Sequence, residues 1–250
     1  MKLYLNKNGK YDDSKYYVNA PFNLSSEINR LILAHLILYI IYLLIKYLVF
    51  TGYTISGQSI AYLVEHSLSL SSKPEVLPKA VSWISLFSFQ FIHFNAGELL
   101  LSMFLFWLFG HILSMELGER KVILLYFIFT ILSGVVFLLS HQLFQILSGP
   151  RGIMEGAITG VLAIMTITVT LNSSHHLYIG KDQRISLWHV YLCACLLAFM
   201  LVYKHNISFI ITYLFSIFGG LHYGNMILNG KEITESNKLP ANSNRNILKA

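Results

Sequence analysis

The sequence predicts an all-α polytopic membrane protein, a bundle of six transmembrane helices with both termini on the cytoplasmic side. Three observations carry this prediction. Of 250 residues, 55% are hydrophobic and only 12% are charged, where soluble domains average about 25% charged residues. The mean hydropathy of +0.58 leaves apolar surface that must face something other than water, and several runs approach the ~20 residues needed to cross a bilayer. The eighteen Lys and Arg residues are also distributed unevenly between the segments that join those runs.

The first span, residues 31–51, has one interior lysine, Lys46, near its far end, where the side chain can snorkel. A long connection, residues 52–95, holds polar stretches around the aromatic-rich piece Trp83, Phe87, Phe89 and Phe91. It is too apolar to float free and is predicted to be structured and partly interfacial, with the aromatics as anchors. The second and third spans, residues 96–115 and 122–141, are separated by the charged turn Glu116-Leu117-Gly118-Glu119-Arg120-Lys121, an aqueous boundary. There Glu116 is expected to pair with Arg120 or Lys121. The fourth span follows Gly149-Pro150-Arg151-Gly152 and runs to about residue 171. A polar loop of about fourteen residues precedes the fifth span, residues 186–203, and the sixth occupies residues 207–228.

With the N-terminus inside, the cytoplasmic segments receive Lys2, Lys7, Lys10, Lys15, Arg30, Arg120, Lys121, Lys181, Arg184, Lys231, Lys238, Arg245 and Lys249. The outer segments receive Lys73, Lys79, Arg151 and Lys204. Positive charge gathers in cytoplasmic loops, so this asymmetry orients the bundle with the long first loop outward. It also accounts for the net charge of +6 without a nucleic-acid partner. The domain reading is therefore a cytoplasmic tail over residues 1–30, one membrane domain over 31–229, and a disordered cytoplasmic tail over 230–250. The first thirty residues have no apolar core of a signal peptide.

Several motifs in order resemble the rhomboid superfamily of intramembrane serine proteases. Phe91-Ile92-His93 is similar to the family's entry to its second helix, and Phe109-Gly110 through Glu116-Leu117-Gly118-Glu119-Arg120 to that helix's close. Gly156-Ala157-Ile158, with Gly160 following, resembles the run after the family's nucleophile, and Gly219-Gly220 with Gly224 resembles its sixth-helix glycine run. Small residues at i and i+4 allow close helix approach in lipid, so Gly156 with Gly160 and Gly220 with Gly224 are expected to bring the fourth and sixth spans together.

The resemblance implies a serine nucleophile directly before Gly156, a histidine base on the sixth helix, and a histidine and an asparagine at the start of the second helix to hold the oxyanion. This chain has Glu155, Ile217, Glu98 and Ser102 at those positions. A carboxylate repels a developing oxyanion, and loss of one donor typically costs about 10²–10³ in rate. Ser216 is one residue from the base position, and His222 lies on the wrong helical face. His93 is retained, but in the family it supports the entry and is not the base.

The resemblance also aims Glu98 and Glu155 into one outward-facing cavity with His93. Buried carboxylates there are candidates for binding a proton or a cation. The plainer reading makes Glu98 a helix cap and gives Glu155 a loop-backbone or Arg151 contact. No metal site or cofactor is expected: His175 and His176 lack acidic or thiol ligands at suitable spacing, and Cys193 and Cys195 fall on different helix faces. The leading expectation is a rhomboid-like pseudoprotease, of unspecified oligomeric state, that binds transmembrane client segments laterally between the second and fifth helices. The alternative is a hydrolase using Glu98, Glu155 and His93. The compact six-helix core favours a bacterial inner membrane.

Overall fold

A computed structural model describes residues 15–17, 24–50, 54–55, 58–59, 68–72, 79–144, 152–173, 176–179, 183–202 and 207–236. Among the described residues seven α-helices carry the fold: α1 (Glu27–Phe50), α2 (Lys79–Ser88), α3 (Ala96–Leu117), α4 (Glu119–Leu143), α5 (Ile158–Leu171), α6 (Leu187–Val202) and α7 (Ile207–Ser236). Four of them, α1, α3, α4 and α7, are long and apolar enough to cross a membrane, and α5 and α6 are shorter apolar helices. The outer faces carry large exposed apolar side chains, among them Ile40, Leu44, Leu124, Leu139, Leu196 and Met200. Such a surface is stable against lipid and not against water.

Helix α5 is the centre of the bundle. Every residue from Ile158 to Val169 is buried, against α3, α4, α6 and α7. Its fourteen residues span about 21 Å, well short of the ~30 Å hydrocarbon core. The fourth span was expected to begin just after Gly152; instead residues 152–157 are non-helical, with only Ile153–Met154 in a strand. Irregular backbone at that depth is tolerated only where protein satisfies its polar groups. Here the Ser72 and Gly152 backbones and the Ser72 hydroxyl do so, and Gly156 N–H donates to Phe89 O at 2.9 Å.

Among the described residues three small sheets accompany the helices, where the sequence predicts none. Strand β1 (Lys15–Tyr17) runs parallel to β6 (His176–Ile179), which forms a hairpin with β7 (Gln183–Ser186). The predicted polar loop is thus partly this hairpin, and β7 runs directly into α6. Strands β2 (Thr54–Ile55) and β3 (Gln58–Ser59) pair with each other. Strand β4 (Leu70–Ser71) pairs with β5 (Ile153–Met154), tying the first loop to the lead-in of α5. Strands of two to four residues are too short to show a period-two pattern in sequence.

At the opposite end from β4 and β5, the charged turn locks onto α1. Gly118, at φ +82°, closes α3 and opens α4. Glu119 accepts from the Glu27 backbone N–H at 2.6 Å, and Arg120 donates to Glu27 at 3.3 Å. Arg120 therefore reaches across to Glu27 of α1, a partner that the sequence did not suggest. The sixth helix runs on to Ser236, past its expected end at residue 228.

The glycine pairs pack differently from one another. On α7, a Cβ at Gly220 would meet Ala163 O at 2.8 Å and Thr166 Cβ at 2.9 Å, and one at Gly224 would meet Thr170 Cβ at 2.8 Å. These two glycines seat α7 on α5. Gly160, by contrast, faces Thr130 and the Tyr126 carbonyl of α4. Gly156 lies before the helix altogether, in the left-handed region at φ +79°. The expectation that Gly156 and Gly160 form an interhelical pair against the sixth span is corrected accordingly: only Gly160 is helical, and it serves the α4 contact.

Candidate functional site

The site forms where the lead-in of α5 passes the N-terminus of α3. Helix α3 is capped by Asn95, whose side chain accepts from Gly97 N–H at 2.8 Å. Glu98 is therefore not the cap. It lies in the first turn and is 4% exposed, with its carboxylate turned inward. Glu155 is 5% exposed, and Arg151, its suggested contact, lies outside the described residues. Between the two acids sits Gly156. A Cβ on Gly156 would fall 2.5 Å from Glu98 Oε1 and 3.3 Å from His93 Nε2, so a carboxylate and an imidazole close on one backbone point.

His93 is 1% exposed, and neither ring nitrogen has a hydrogen-bond partner. Burial first and the neighbouring His35 imidazole second lower its pKa from 6.5 to about 3; the nearby Phe91 backbone opposes this weakly. His93 is thus held as the neutral ring. The other residues singled out in the sequence make contacts of their own. Ser102 Oγ donates to Glu98 O at 2.6 Å within its own helix. Ile217 carries no proton-transfer group, Ser216 Oγ donates to Thr212 O at 3.1 Å, and His222 is exposed. On the same helix Tyr213 donates to Ala198 O at 3.1 Å.

Sequence reasoning passed over His35, in the middle of the first span. It is fully buried; its Nδ1 donates to Leu31 O at 2.8 Å and its Nε2 accepts from Tyr126 OH at 3.0 Å. Its ring lies 4.7 Å from that of Phe91 and 6.0 Å from that of His93. The signal was available, since an ionisable residue within an apolar span marks a site by default. The aromatic stripe is split, with Phe87 exposed, Phe89 fully buried and Phe91 against His35; the Trp83 side chain lies outside the described residues.

A cavity of about 300 Å³ opens between α3 and α6, walled by Leu101, Phe104 and Leu105 on one side and by His189, Cys193 and Leu197 on the other. Cys193 and Cys195 are free thiols. Among the described residues, no group of three or more His, Cys, Asp or Glu side chains converges as metal ligands do; His175 lies outside them.

The model of the Rhomboid domain matches residues 80–230 of the chain. The chain belongs to the rhomboid family. No curated protein and no solved structure matches it. The matched stretch of this rhomboid begins within α2 and includes α3 through most of α7, with both the Glu98 turn and the Glu155-Gly156 lead-in. Rhomboids are an intramembrane serine protease family, and the protein is an integral, multi-pass member by its apolar helices.

Proposed function

We propose that this rhomboid is a pseudoprotease that holds transmembrane client segments without cleaving them. The observation that carries this is the lead-in itself: the residue before Gly156 is Glu155, and Ile217 stands where the family places its base. A serine hydroxyl is a weak nucleophile without an adjacent base, and the hydroxyls of Ser102 and Ser216 are both directed to carbonyls of their own helices. The apolar cavity between α3 and α6 supports a client helix entering laterally, because it faces the lipid side of the bundle.

The same reading has six spans with both termini cytoplasmic, in a bacterial inner membrane. Sidedness is supported by pairings at the ends of the bundle. Strand β1 of the N-terminal tail pairs with β6 of the connection between α5 and α6, and Glu27 meets Arg120, so these basic segments share one end. The compact core without an inserted domain favours the bacterial location.

The test is a fluorophosphonate probe on the reconstituted protein, beside a cleavage assay on a reporter transmembrane segment. The reading requires no labelling and no cleavage, with the reporter still co-purifying. Labelling abolished by one serine substitution would establish a serine hydrolase. Cleavage lost in Glu98→Gln or Glu155→Gln would instead establish the carboxylate chemistry that the convergence of Glu98 and His93 favours as a second reading.

A further inference from the structure

Helix α6 is held differently on its two sides. Toward the bundle it has buried polar ties. The Tyr191 hydroxyl donates to Thr166 Oγ1 of α5 at 3.0 Å, since that oxygen's own proton goes to Leu162 O, and the α6 carbonyl of Ala198 accepts from Tyr213 of α7 at 3.1 Å. Toward α3 it borders the cavity of about 300 Å³, where Ile185, Cys193 and Leu197 stand across from Leu101 and Phe104. Hydrogen bonds fix positions, whereas apolar contact is non-directional. The tied side therefore sets an axis for α6, and the cavity side leaves its separation from α3 to be set by something else.

The small sheet at the start of α6 is placed to set it. Ile185 belongs both to β7 and to the cavity wall, and β7 passes into α6 without a break, from Ser186 to Leu187. In register, Ile185 pairs with Leu177 of β6, and Leu177 pairs with Tyr16 of β1. One row of the sheet thus leads from the N-terminal tail to the cavity. Leu177 is buried and Leu187 fully so, which seats the hairpin on the bundle, so a shift of the hairpin carries the start of α6 with it. A hairpin of two four-residue strands is marginal by itself, and a third strand is what makes such a sheet persist. Strand β1 is that third strand. It makes β6 the central strand and comes from a distant part of the chain.

We propose that β1 is a strap on the lateral cavity. By completing the β6–β7 sheet it holds the start of α6 toward α3, and its release lets α6 swing about its ties to α5 and α7, so that the cavity opens toward lipid. The device sets the width of the cavity and not what enters it. It stands whether the chain cleaves its clients or only holds them.

Spin-label distances on the full chain in lipid vesicles, with no client present, test it. The labels go on Leu100→Cys of α3 and Leu196→Cys of α6, both exposed beside the cavity, in a chain carrying Cys193→Ala and Cys195→Ala. A second labelled pair, Ile40→Cys of α1 with Leu139→Cys of α4, serves as the reference. Proline cannot donate to a ladder, so Tyr16→Pro with Tyr17→Pro removes β1 from the sheet, and deletion of residues 1–18 removes it outright. The expected result in both is a longer and broader α3–α6 distance with the α1–α4 distance unchanged, while Asn6→Pro with Lys7→Pro, outside the strand, behaves as the parent chain. The proposal is overturned if the α3–α6 distance is the same with and without β1, or if the reference distance moves along with it. Should the deletion not insert, the proline pair carries the decision.

Discussion

Gly156 sits at φ +79° with the Glu98 carboxylate and the His93 ring against its Cα. A residue with a Cβ meets two penalties there: the left-handed conformation costs roughly 1–2 kcal/mol, and the methyl group must displace Glu98. Gly156→Ala is expected to lower stability by about 2 kcal/mol or more, read by thermal unfolding in detergent, while Gly118→Ala, with open space around it, pays only the conformational part. His93 gives a pH signature of definite sign. The folded chain keeps the ring neutral down to about pH 3, whereas the unfolded chain protonates it below 6.5. The contribution of His93 is therefore complete above pH 6.5 and is lost as the pH falls toward 3, by about 1.4 kcal/mol per pH unit. Unfolding over a pH series should show that slope, and His93→Gln should flatten it. At this scale the sequence named Glu98, Glu155 and His93, but it assigned Glu98 to a cap that Asn95 provides. It also passed over His35, whose place within an apolar span was a readable signal, while its contact with Tyr126, ninety-one positions away, leaves no local pattern.

Among the elements, α5 departs furthest from its expected form. Its apolar run reads as an ordinary span, yet the first six residues are non-helical, and Ser72 and Phe89, far away in the chain, satisfy the backbone of Gly152 and Gly156. That substitution of partners sets Glu155 and Gly156 within the bundle. The α5–α7 contact was legible from the spacing of Gly220 and Gly224, while the partner of Gly160 was not: small residues announce close approach without saying to which helix. Gly220→Ala would press a methyl group onto the backbone carbonyl of Ala163. An overpacked interface of this kind is destabilised by roughly 1–3 kcal/mol, and the variant should unfold at lower temperature or denaturant than Gly230→Ala, where nothing lies within 4 Å.

For the whole molecule, the positive charges and the end-to-end pairings make one topological prediction. Reporter fusions after residue 18, in the Gly118 turn and in the β6–β7 hairpin should all report the cytoplasm. Fusions near residues 72 and 151 should report the opposite side. A cytoplasmic signal from the first loop would overturn the orientation. The pairing of β1 with β6 adds a consequence that charge counting does not contain: the N-terminal tail is fastened to the hairpin that enters α6, one wall of the lateral cavity.

Composition and run length by themselves determined that lipid is the solvent and where the apolar helices fall, because transfer of apolar surface depends on local sequence alone. Short motifs pointed to the family and drew attention to Glu98, Glu155 and His93. Only the tertiary structure decided that residues 152–157 would not be helical, which helix each glycine serves, and that His93 and Glu98 meet at Gly156. Those outcomes depend on which distant groups satisfy a buried backbone or side chain, and burial away from water makes such partnerships decisive without writing them into the neighbouring sequence.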